Sequence, residues 1–98
     1  MSRGAGRVAE EEIDARQRID LWLWHARVVR TRSAAASLAS SGHVRVNGVR
    51  IKAASREVRT GDVVTVALDR SVRVLKVCGF SQLRGDAAAA SRLYTDIG

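Results

Sequence analysis

An Asn-Gly dipeptide between two alternating runs constrains the fold of this chain more than any other feature of its sequence. The polar–apolar run HVRV precedes Asn47-Gly48, and the run VRIK follows it. A tight two-residue turn needs positive φ at both positions, which Asn and Gly accept, and it joins the strands of an antiparallel hairpin. Because side chains alternate between the faces of a strand, we expect Val44 and Val46 in the core and Arg45 at the surface.

Two helices are predicted before the hairpin. Asp20 is a good helix N-cap, and no breaker interrupts residues 21–30. With a period of 3.6 residues this segment has one apolar face, made of Ile19, Trp22, Leu23, Ala26 and Val29. Thr31 or Ser33 can cap a second, alanine-rich helix, and Gly42 stands where that helix needs a C-cap glycine.

After the hairpin, the sequence predicts a connection, two strands and a last helix. Residues 53–60 are interpreted as the connection, and strands are expected over 63–68 and 72–78. Asp86 can cap a short final helix over residues 86–94. The predicted fold class is therefore α+β: two helices, then a small and mostly antiparallel β-sheet, then a short C-terminal helix.

A chain of 98 residues is expected to form one domain around one small core. We interpret residues 1–17 as a flexible N-terminal tail, in which Glu12 could pair with Arg16 across one turn of a frayed helix. Residues 18–80 form the predicted domain. Residues 81–98 form the C-terminal loop and short helix.

The apolar runs of the sequence are short. None approaches the roughly 20 residues of a membrane-spanning helix, and the N-terminus lacks the apolar core of a signal peptide. We therefore expect a cytoplasmic protein with no membrane partner. The single cysteine, Cys78, excludes an intramolecular disulfide and is interpreted as a small core residue at the end of an apolar strand.

Positive charge is concentrated in the middle of the chain. The net charge is +7, and 15 of the 17 basic residues are arginine. Residues 21–60 hold eight basic residues and the single acid Glu57, whereas the segments on either side are close to neutral. An even spread would favour a merely solvated surface. A concentrated excess favours a face that binds a polyanion, and the arginine fork suits phosphate.

Constellations for catalysis or metal binding are missing from the sequence. His25 and His43 have no Cys or His partner at ligand spacing. Neither a phosphate-binding GxxxxGK loop nor a nucleophile elbow occurs. A Ser-His-Asp triad whose members meet only in space stays open at this point. We predict that the chain is not an enzyme and that it uses no cofactor and no metal.

A basic surface for nucleic acid can be assembled from the two helices and the hairpin. The start of the second helix offers free N–H groups and a favourable dipole to a phosphate, and the hairpin adds further cations. Trp24 can either pack under the hairpin or stack on a base. The candidate residues are Trp24, Arg27, Arg30, Thr31, Arg32, Ser33, Arg45, Arg50 and Lys52. The basic residues Arg70, Arg73, Lys76 and Arg92 are interpreted as ordinary solvated charges.

Residues 18–68 resemble the RNA-binding domain named after ribosomal small-subunit protein four, also called the alpha-L motif. The residues that carry the resemblance are Arg18-Ile19-Asp20, Leu23, Arg27, Thr31-Arg32-Ser33, Ala35, Leu38, Gly42, Val44 to Gly48, and Gly61-Asp62. The segment RIDLWLWHARVVRTRS and the C-terminal Leu93-Tyr94 are similar to a subfamily of fifteen-kilodalton, ribosome-associated heat shock proteins of bacteria.

This resemblance implies an RNA-binding factor of the large ribosomal subunit, with the ribosomal RNA of that subunit and peptidyl-tRNA as partners. It implies a role in recognising free large subunits that still carry a nascent chain on tRNA, and in returning them to translation. We further expect a monomer that takes no small-molecule substrate. The family's RNA-facing positions are matched by Arg18, Arg27, Arg30, Thr31, Arg32, Ser33, Arg45 and Lys52.

The sequence departs from the family pattern at several positions. Leu21 stands where Lys or Arg is usual, and Ala36-Ser37 replace a basic and an acidic residue of the second helix. His43, which often has a Lys or Arg counterpart, joins the candidate RNA-binding set at the start of the hairpin. The second helix is thus poor in charge, and we expect binding to depend more on the hinge before it and on the hairpin.

Other hypotheses stay open. The chain could be a related quality-control factor in nascent-chain tailing, or a general binder of structured RNA. It could be a stand-alone relative of the pseudouridine synthases that carry such domains, in which case the purified chain would turn over RNA. It could also be a basic adaptor that binds a protein or an anionic membrane through residues 22–30, in which case it would bind vesicles better than RNA.

Overall fold

The structure, a computed structural model, describes residues 15–98. In chain order its elements are β1 (Arg16–Arg18), α1 (Ile19–His25), α2 (Arg32–Ser40), β2 (Val44–Val46), β3 (Val49–Arg50), β4 (Glu57–Arg59), β5 (Val63–Ala67), β6 (Val72–Val77), α3 (Ala87–Ser91) and β7 (Tyr94–Asp96). The α+β fold predicted from the sequence is confirmed.

The strands form two antiparallel units. Five of them make one sheet in the order β3-β2-β5-β6-β7, and β1 and β4 make a separate two-stranded ribbon. One face of the larger sheet lies on the core, because Val44 and Val46 of β2 stand opposite Val66 and Val64 of β5, and all four are buried. Arg45, which lies between the two valines of β2, is exposed as predicted.

The hairpin turn has the geometry that its sequence predicts. Asn47 has φ 52° and Gly48 has φ 83°, so both central residues occupy the left-handed region. The Asn47 side chain also braces the turn against the start of β5. Its Oδ1 accepts a hydrogen bond from the Val63 N–H at 2.9 Å, and its Nδ2 donates to Asp62 Oδ1 at 3.1 Å. Asn47 therefore fixes the hairpin to β5 as well as making the turn.

The start of α1 differs from the prediction. Asp20 is not its N-cap: it lies inside the helix and is buried, and Arg18 occupies the N-cap without a side-chain cap hydrogen bond. The first N–H groups of the helix are satisfied by another segment, because Ile19 N–H donates to the Arg56 carbonyl at 2.7 Å and Asp20 N–H to the Ala54 carbonyl at 3.3 Å. A backbone cap from a distant segment leaves no local sequence pattern, and it frees the Asp20 carboxylate for another role.

Several other segments also differ from the structure that the sequence predicts. Arg16 and Gln17, assigned to the tail, belong to β1, whereas the proposed Glu12–Arg16 pairing lies outside the described residues. The connection at 53–60 contains β4, and α3 ends at Ser91, so that Tyr94 lies in β7. Cys78 is exposed and not a core residue, because it follows the last strand residue that faces inward.

Arg73 is not an ordinary solvated charge. Its Nη2 donates to Asp96 Oδ2 at 3.2 Å and to the Tyr94 hydroxyl at 3.4 Å, and its guanidinium lies 5.3 Å from the centroid of the Tyr94 ring. The hydrogen bond to Tyr94, followed by that to Asp96, raises the pKa of Arg73 above its usual value, although partial burial opposes the shift. Arg73 thus attaches the C-terminal strand to the sheet.

Within residues 15–98, no helix has the length and apolar character needed to cross a membrane. The same part of the chain holds no group of three or more His, Cys, Asp or Glu side chains placed to bind a metal ion.

Trp22 is the centre of the core. It is fully buried with its neighbours Ile19 and Leu23, and its indole Nε1 donates to the Gly79 carbonyl at 3.1 Å. The core-packing role predicted for Trp22, and the buried apolar face predicted for α1, are therefore confirmed, although Val29 is only partly buried.

Replacing Trp22 with alanine should lower the free energy of unfolding by about 3–5 kcal/mol, because it leaves a large cavity and an unpaired carbonyl. This loss is a large part of the roughly 5–15 kcal/mol that stabilises a domain of this kind. Urea denaturation followed by circular dichroism measures it. Val72→Ala, at a side chain that is 57% exposed, is the control and should cost less than about 1 kcal/mol. Equal effects of the two substitutions would contradict this view of the core.

Candidate nucleic-acid interface

The loop that joins α1 to α2 begins with a residue in an unusual conformation. Helix α1 ends in a Schellman motif, in which the Arg27 N–H donates to the Trp24 carbonyl and the Val28 N–H donates to the Leu23 carbonyl, both at 3.0 Å. The motif requires a left-handed residue, and Arg27 supplies it with φ 60°. Arg27 therefore lies just past the end of the helix and not within it, although no helix breaker interrupts residues 21–30 of the sequence.

Helix α2 ends in the same motif with the residue that suits it. Gly42 N–H donates to the Ala39 carbonyl at 3.3 Å and His43 N–H to the Leu38 carbonyl at 3.0 Å, while Gly42 has φ 84°. The predicted C-cap glycine is thus confirmed. A left-handed conformation costs an L-residue roughly 1–2 kcal/mol relative to glycine, and such strain is concentrated at functional sites. Because the left-handed conformation of Arg27 carries this energetic cost, we infer that the Arg27 side chain has a function that glycine could not provide.

A buried carboxylate organises the arginines around this loop. Asp20 is only 3% exposed. Arg18 donates to it twice, from Nε to Oδ1 at 3.1 Å and from Nη2 to Oδ2 at 2.9 Å. Arg32 Nε lies 3.8 Å from the same Oδ2. The Arg18 and Arg32 side chains remain 45% and 47% exposed, so one buried negative charge holds two cations at the surface.

The start of α2 is open to an anion. The Thr31 hydroxyl accepts a hydrogen bond from the Ala34 N–H at 3.0 Å, which confirms Thr31 as the cap, and no acidic residue lies in the first turn. Ser33 and Arg30 are exposed. Arg30 forms no ion pair with any carboxylate of residues 15–98. We call Arg18, Arg27, Arg30 and Arg32, which lie between the end of β1 and the first turn of α2, the hinge cluster.

A second group of cations lies on the hairpin. Arg45 of β2 and Arg50 of β3 stand directly opposite each other, and His43 and Thr65 line the same shallow groove. The Arg50 side chain lies across Gly42, where a Cβ would come within 3.3 Å of its Cδ. Like charges in opposite positions destabilise a strand pair, and neither arginine meets a carboxylate in the part of the chain that the structure describes. We call His43, Arg45 and Arg50 the hairpin cluster.

The eleven candidate residues therefore do not form one groove. The hinge cluster lies at the start of α2 and the hairpin cluster at its end, and a helix of nine residues spans about 13 Å. The exposed side chains of α2 between them are small, and include Ser33, Ala34, Ser37 and Ser40. Lys52 is exposed beyond the hairpin and lies outside the groove that the hairpin cluster lines. Helix α2, which the sequence predicts to be poor in charge, thus presents small side chains between the two basic clusters.

Arg84 is an essential part of the site that the sequence analysis missed. Its Nε donates to the Trp24 carbonyl at 3.1 Å and its Nη2 to the Val29 carbonyl at 3.3 Å. Its guanidinium also lies 5.9 Å from the centroid of the Trp24 ring. In return, Arg27 Nη1 donates to the Gly85 carbonyl at 2.9 Å. Arg84 therefore fixes both ends of the α1–α2 loop. It is separated from this loop by more than fifty residues, so no local motif announces it.

Trp24 is half-buried, and its ring contacts are with Arg84 and with His25, whose ring centroid is 5.4 Å away. His25 is a buried residue, and its Nδ1 has no hydrogen-bond partner among the described residues. Burial lowers the pKa of His25; a hydrogen bond with the Ser81 backbone opposes this, and the charges of Arg32 and Arg84 lower the pKa further. The folded chain therefore favours the neutral form of the His25 imidazole.

Acid should destabilise this region through His25. Its pKa is lowered in the folded chain, so the unfolded chain binds more protons, and the free energy of unfolding must fall as pH drops through and below the ordinary value of 6.5. Urea denaturation at about pH 7.5 and pH 5.5 measures this fall. His25→Gln should reduce the fall, whereas the exposed control His43→Gln should leave it unchanged. A fall of the same size in His25→Gln would exclude His25 as its source.

The sequence of this chain is similar to those of several known proteins. The S4 domain family model matches residues 17–64. The heat shock protein 15 homolog of Haemophilus influenzae is 34% identical over 89 residues, which are 91% of this chain and 64% of that protein. Small ribosomal subunit protein uS4 of Novosphingobium aromaticivorans is 44% identical over 50 residues, which are 51% of this chain and 25% of that protein.

A solved structure extends the match to the fold. The trimeric structure of Vibrio cholerae heat shock protein 15 has a TM-score of 0.78 and 32% sequence identity, and the match covers 85% of this chain and 83% of that one. The chain spans about 64% of the length of the first curated relatives that it matches. Since the identity, the coverage and the fold all agree, this chain belongs to the S4-domain family, in the group of heat shock protein 15.

Proposed function

We propose that this chain is a ribosome-associated RNA-binding protein that binds structured RNA through the hinge cluster and the hairpin cluster. The observation that carries the proposal is the pair of basic clusters, rich in arginines without ion-pair partners in residues 15–98, at the two ends of α2. An RNA backbone supplies negative charge to the arginines of both clusters that have no ion-pair partner in this part of the chain. The small side chains of α2 let that backbone approach closely.

Each candidate residue has a distinct role in this proposal. Arg18 and Arg32, oriented by Asp20, contact phosphates through the guanidinium N–H groups that Asp20 does not use. The free N–H groups at the start of α2 and the Ser33 hydroxyl bind a phosphate or a ribose 2′-OH. Thr31 acts through its cap, which fixes the start of the helix. The remaining candidates contact the backbone: His43 through its imidazole, and Arg27, Arg30, Arg45, Arg50 and Lys52 through their positive charges.

Trp24 does not offer a free ring face on which any base could stack. The Arg84 guanidinium already lies over its ring, which favours a base stacked beside this pair over one inserted between them. We propose no chemical step, so the chain acts by binding alone. Turnover of RNA by the purified chain would contradict that view.

The proposed target is the large ribosomal subunit that retains a nascent chain on tRNA, which the chain helps return to translation in the cytoplasm. Membership of the heat shock protein 15 group and the similarity to a ribosomal protein support a ribosomal target. We further propose that the chain acts as a monomer. The Vibrio cholerae relative has a trimeric structure, so sedimentation equilibrium of this chain decides between a monomer and a trimer.

Sedimentation with separated ribosomal subunits in about 150 mM salt tests the target. The chain should travel with large subunits, more so when they carry peptidyl-tRNA, and Arg45→Gln/Arg50→Gln should lose at least tenfold in affinity because two phosphate contacts disappear. The matched control is Lys76→Gln/Arg92→Gln, which removes the same charge from exposed positions outside both clusters. Binding to neither subunit would refute the ribosomal target, and an equal loss in the control would refute the hairpin cluster.

Two substitutions at Arg27 separate the energetic cost of its left-handed conformation from the contribution of its side chain to RNA binding. Arg27→Gly and Arg27→Ala should both weaken RNA binding about tenfold, because each removes the same charged contact. Only glycine relieves the left-handed strain. The free energy of unfolding of Arg27→Gly should therefore be about 1 kcal/mol higher than that of Arg27→Ala. RNA titration and thermal denaturation measure the two effects. Unchanged RNA binding in both variants would remove Arg27 from the interface.

A further inference from the structure

The ribbon of β1 and β4 carries basic residues that the two clusters do not include. Gln17 and Val58 stand opposite each other, and Val58 is fully buried, so this pair faces inward. The residues on either side of the pair face outward, and they are Arg16, Arg18, Glu57 and Arg59. The outer face of the ribbon, extended by Arg56 just before β4, thus holds four arginines and one acid.

The pairing within the ribbon neutralises only part of this charge. Arg16 stands directly opposite Arg59, as Arg45 stands opposite Arg50 on the hairpin. The single acid, Glu57, is 3.6 Å from Arg16, and both side chains are about half exposed, so this ion pair contributes little. Arg56 and Arg59 are exposed and form no ion pair with a carboxylate of residues 15–98.

The ribbon borders a groove whose acids are already engaged. Arg16, Arg56, Arg59 and Asn47 line it together with Glu57 and Asp62. Asp62 accepts hydrogen bonds from Asn47 Nδ2 at 3.1 Å and from the Arg59 N–H at 2.9 Å. Its carboxylate is therefore used to hold the hairpin turn and the end of β4. Asp62 keeps its negative charge, because both of its donors are neutral, but the groove still has a net positive charge, since its lining holds three arginines against Glu57 and Asp62.

The ribbon is also continuous with both basic clusters. Arg18 belongs to its outer face and, through Asp20, to the hinge cluster. Asn47 lines its groove and forms the turn of the hairpin. The large exposed apolar residues among those described are Val49, Val72, Leu83 and Ile97, and none of them lies on the ribbon. The absence of an apolar anchor there disfavours a membrane surface.

We propose that the outer face of the β1–β4 ribbon, with Arg56 and Arg59 as its main contacts, is a third segment of the interface and binds the phosphodiester backbone of RNA. This proposal rests on the proposed RNA-binding function. An arginine fork presents two parallel N–H groups to phosphate oxygens. The two unneutralised forks beside one groove suit a backbone that continues past the hairpin turn.

Titration of a structured ribosomal RNA fragment at several salt concentrations tests the ribbon. At about 100 mM salt, Arg56→Gln/Arg59→Gln should bind about tenfold more weakly than the unmodified chain, and the slope of log K against log salt should become shallower by about 1–2. The control Lys76→Gln/Arg92→Gln should change affinity less than twofold. Arg56→Lys/Arg59→Lys keeps the charge but not the fork and should recover only part of the loss. Equal melting temperatures of the variants show that all of them fold.

The outcomes separate this inference from the proposed function. If the unmodified chain binds and Arg45→Gln/Arg50→Gln weakens binding while the ribbon variant matches the control, the ribbon proposal is wrong and the RNA-binding function stands. If the unmodified chain does not bind the RNA at all, the function itself is wrong. Preferential binding of the ribbon to phosphatidylserine vesicles or to a polyglutamate peptide, lost in Arg56→Gln/Arg59→Gln, would overturn the assignment to RNA.

Discussion

The buried carboxylate of Asp20 is the interaction on which the hinge of this structure depends. A carboxylate that is 3% exposed must be paired and hydrogen-bonded, because an isolated buried charge is very unfavourable. Arg18 satisfies it from β1, Arg32 approaches it from α2, and the Leu21 N–H donates to Oδ1 at 2.7 Å. One side chain therefore joins the ribbon, α1 and the start of α2, and it sets where two surface cations stand.

The C-terminal segment completes the hinge from the other side. The Trp22 indole donates to the Gly79 carbonyl, Gln17 Nε2 to the Ser81 carbonyl at 3.0 Å, and Arg84 to the carbonyls of Trp24 and Val29. The region beyond the matched family model, which ends at residue 64, is thus joined to the loop that holds Arg27. The conformation of that loop depends on contacts with Arg84 and Gly85, and the local strain at Arg27 persists because these contacts determine it.

The sequence predicts those features that depend on interactions between residues close together in the chain. The hairpin, the apolar face of α1 and the Gly42 cap depend on periods and turn rules that act over a few residues, and these predictions are confirmed. Asp20 looked like an N-cap because its position suits one, but its helix is capped by carbonyls from residues 54 and 56. β4, Arg84 and the separation of the basic residues into two clusters depend on contacts between distant segments. No spacing along the chain encodes those contacts.

The arginines of the described residues divide into two groups, and the division explains the uneven charge of the sequence. Arg18, Arg73 and Arg84 are held by a buried carboxylate, by Tyr94 and Asp96, or by backbone carbonyls, and these contacts serve the fold. In the basic middle segment Arg45 faces Arg50, and neither forms an ion pair with a carboxylate of residues 15–98. Since like charges placed opposite each other oppose folding, such an arrangement is more consistent with a ligand that brings the missing negative charge than with a purely structural role.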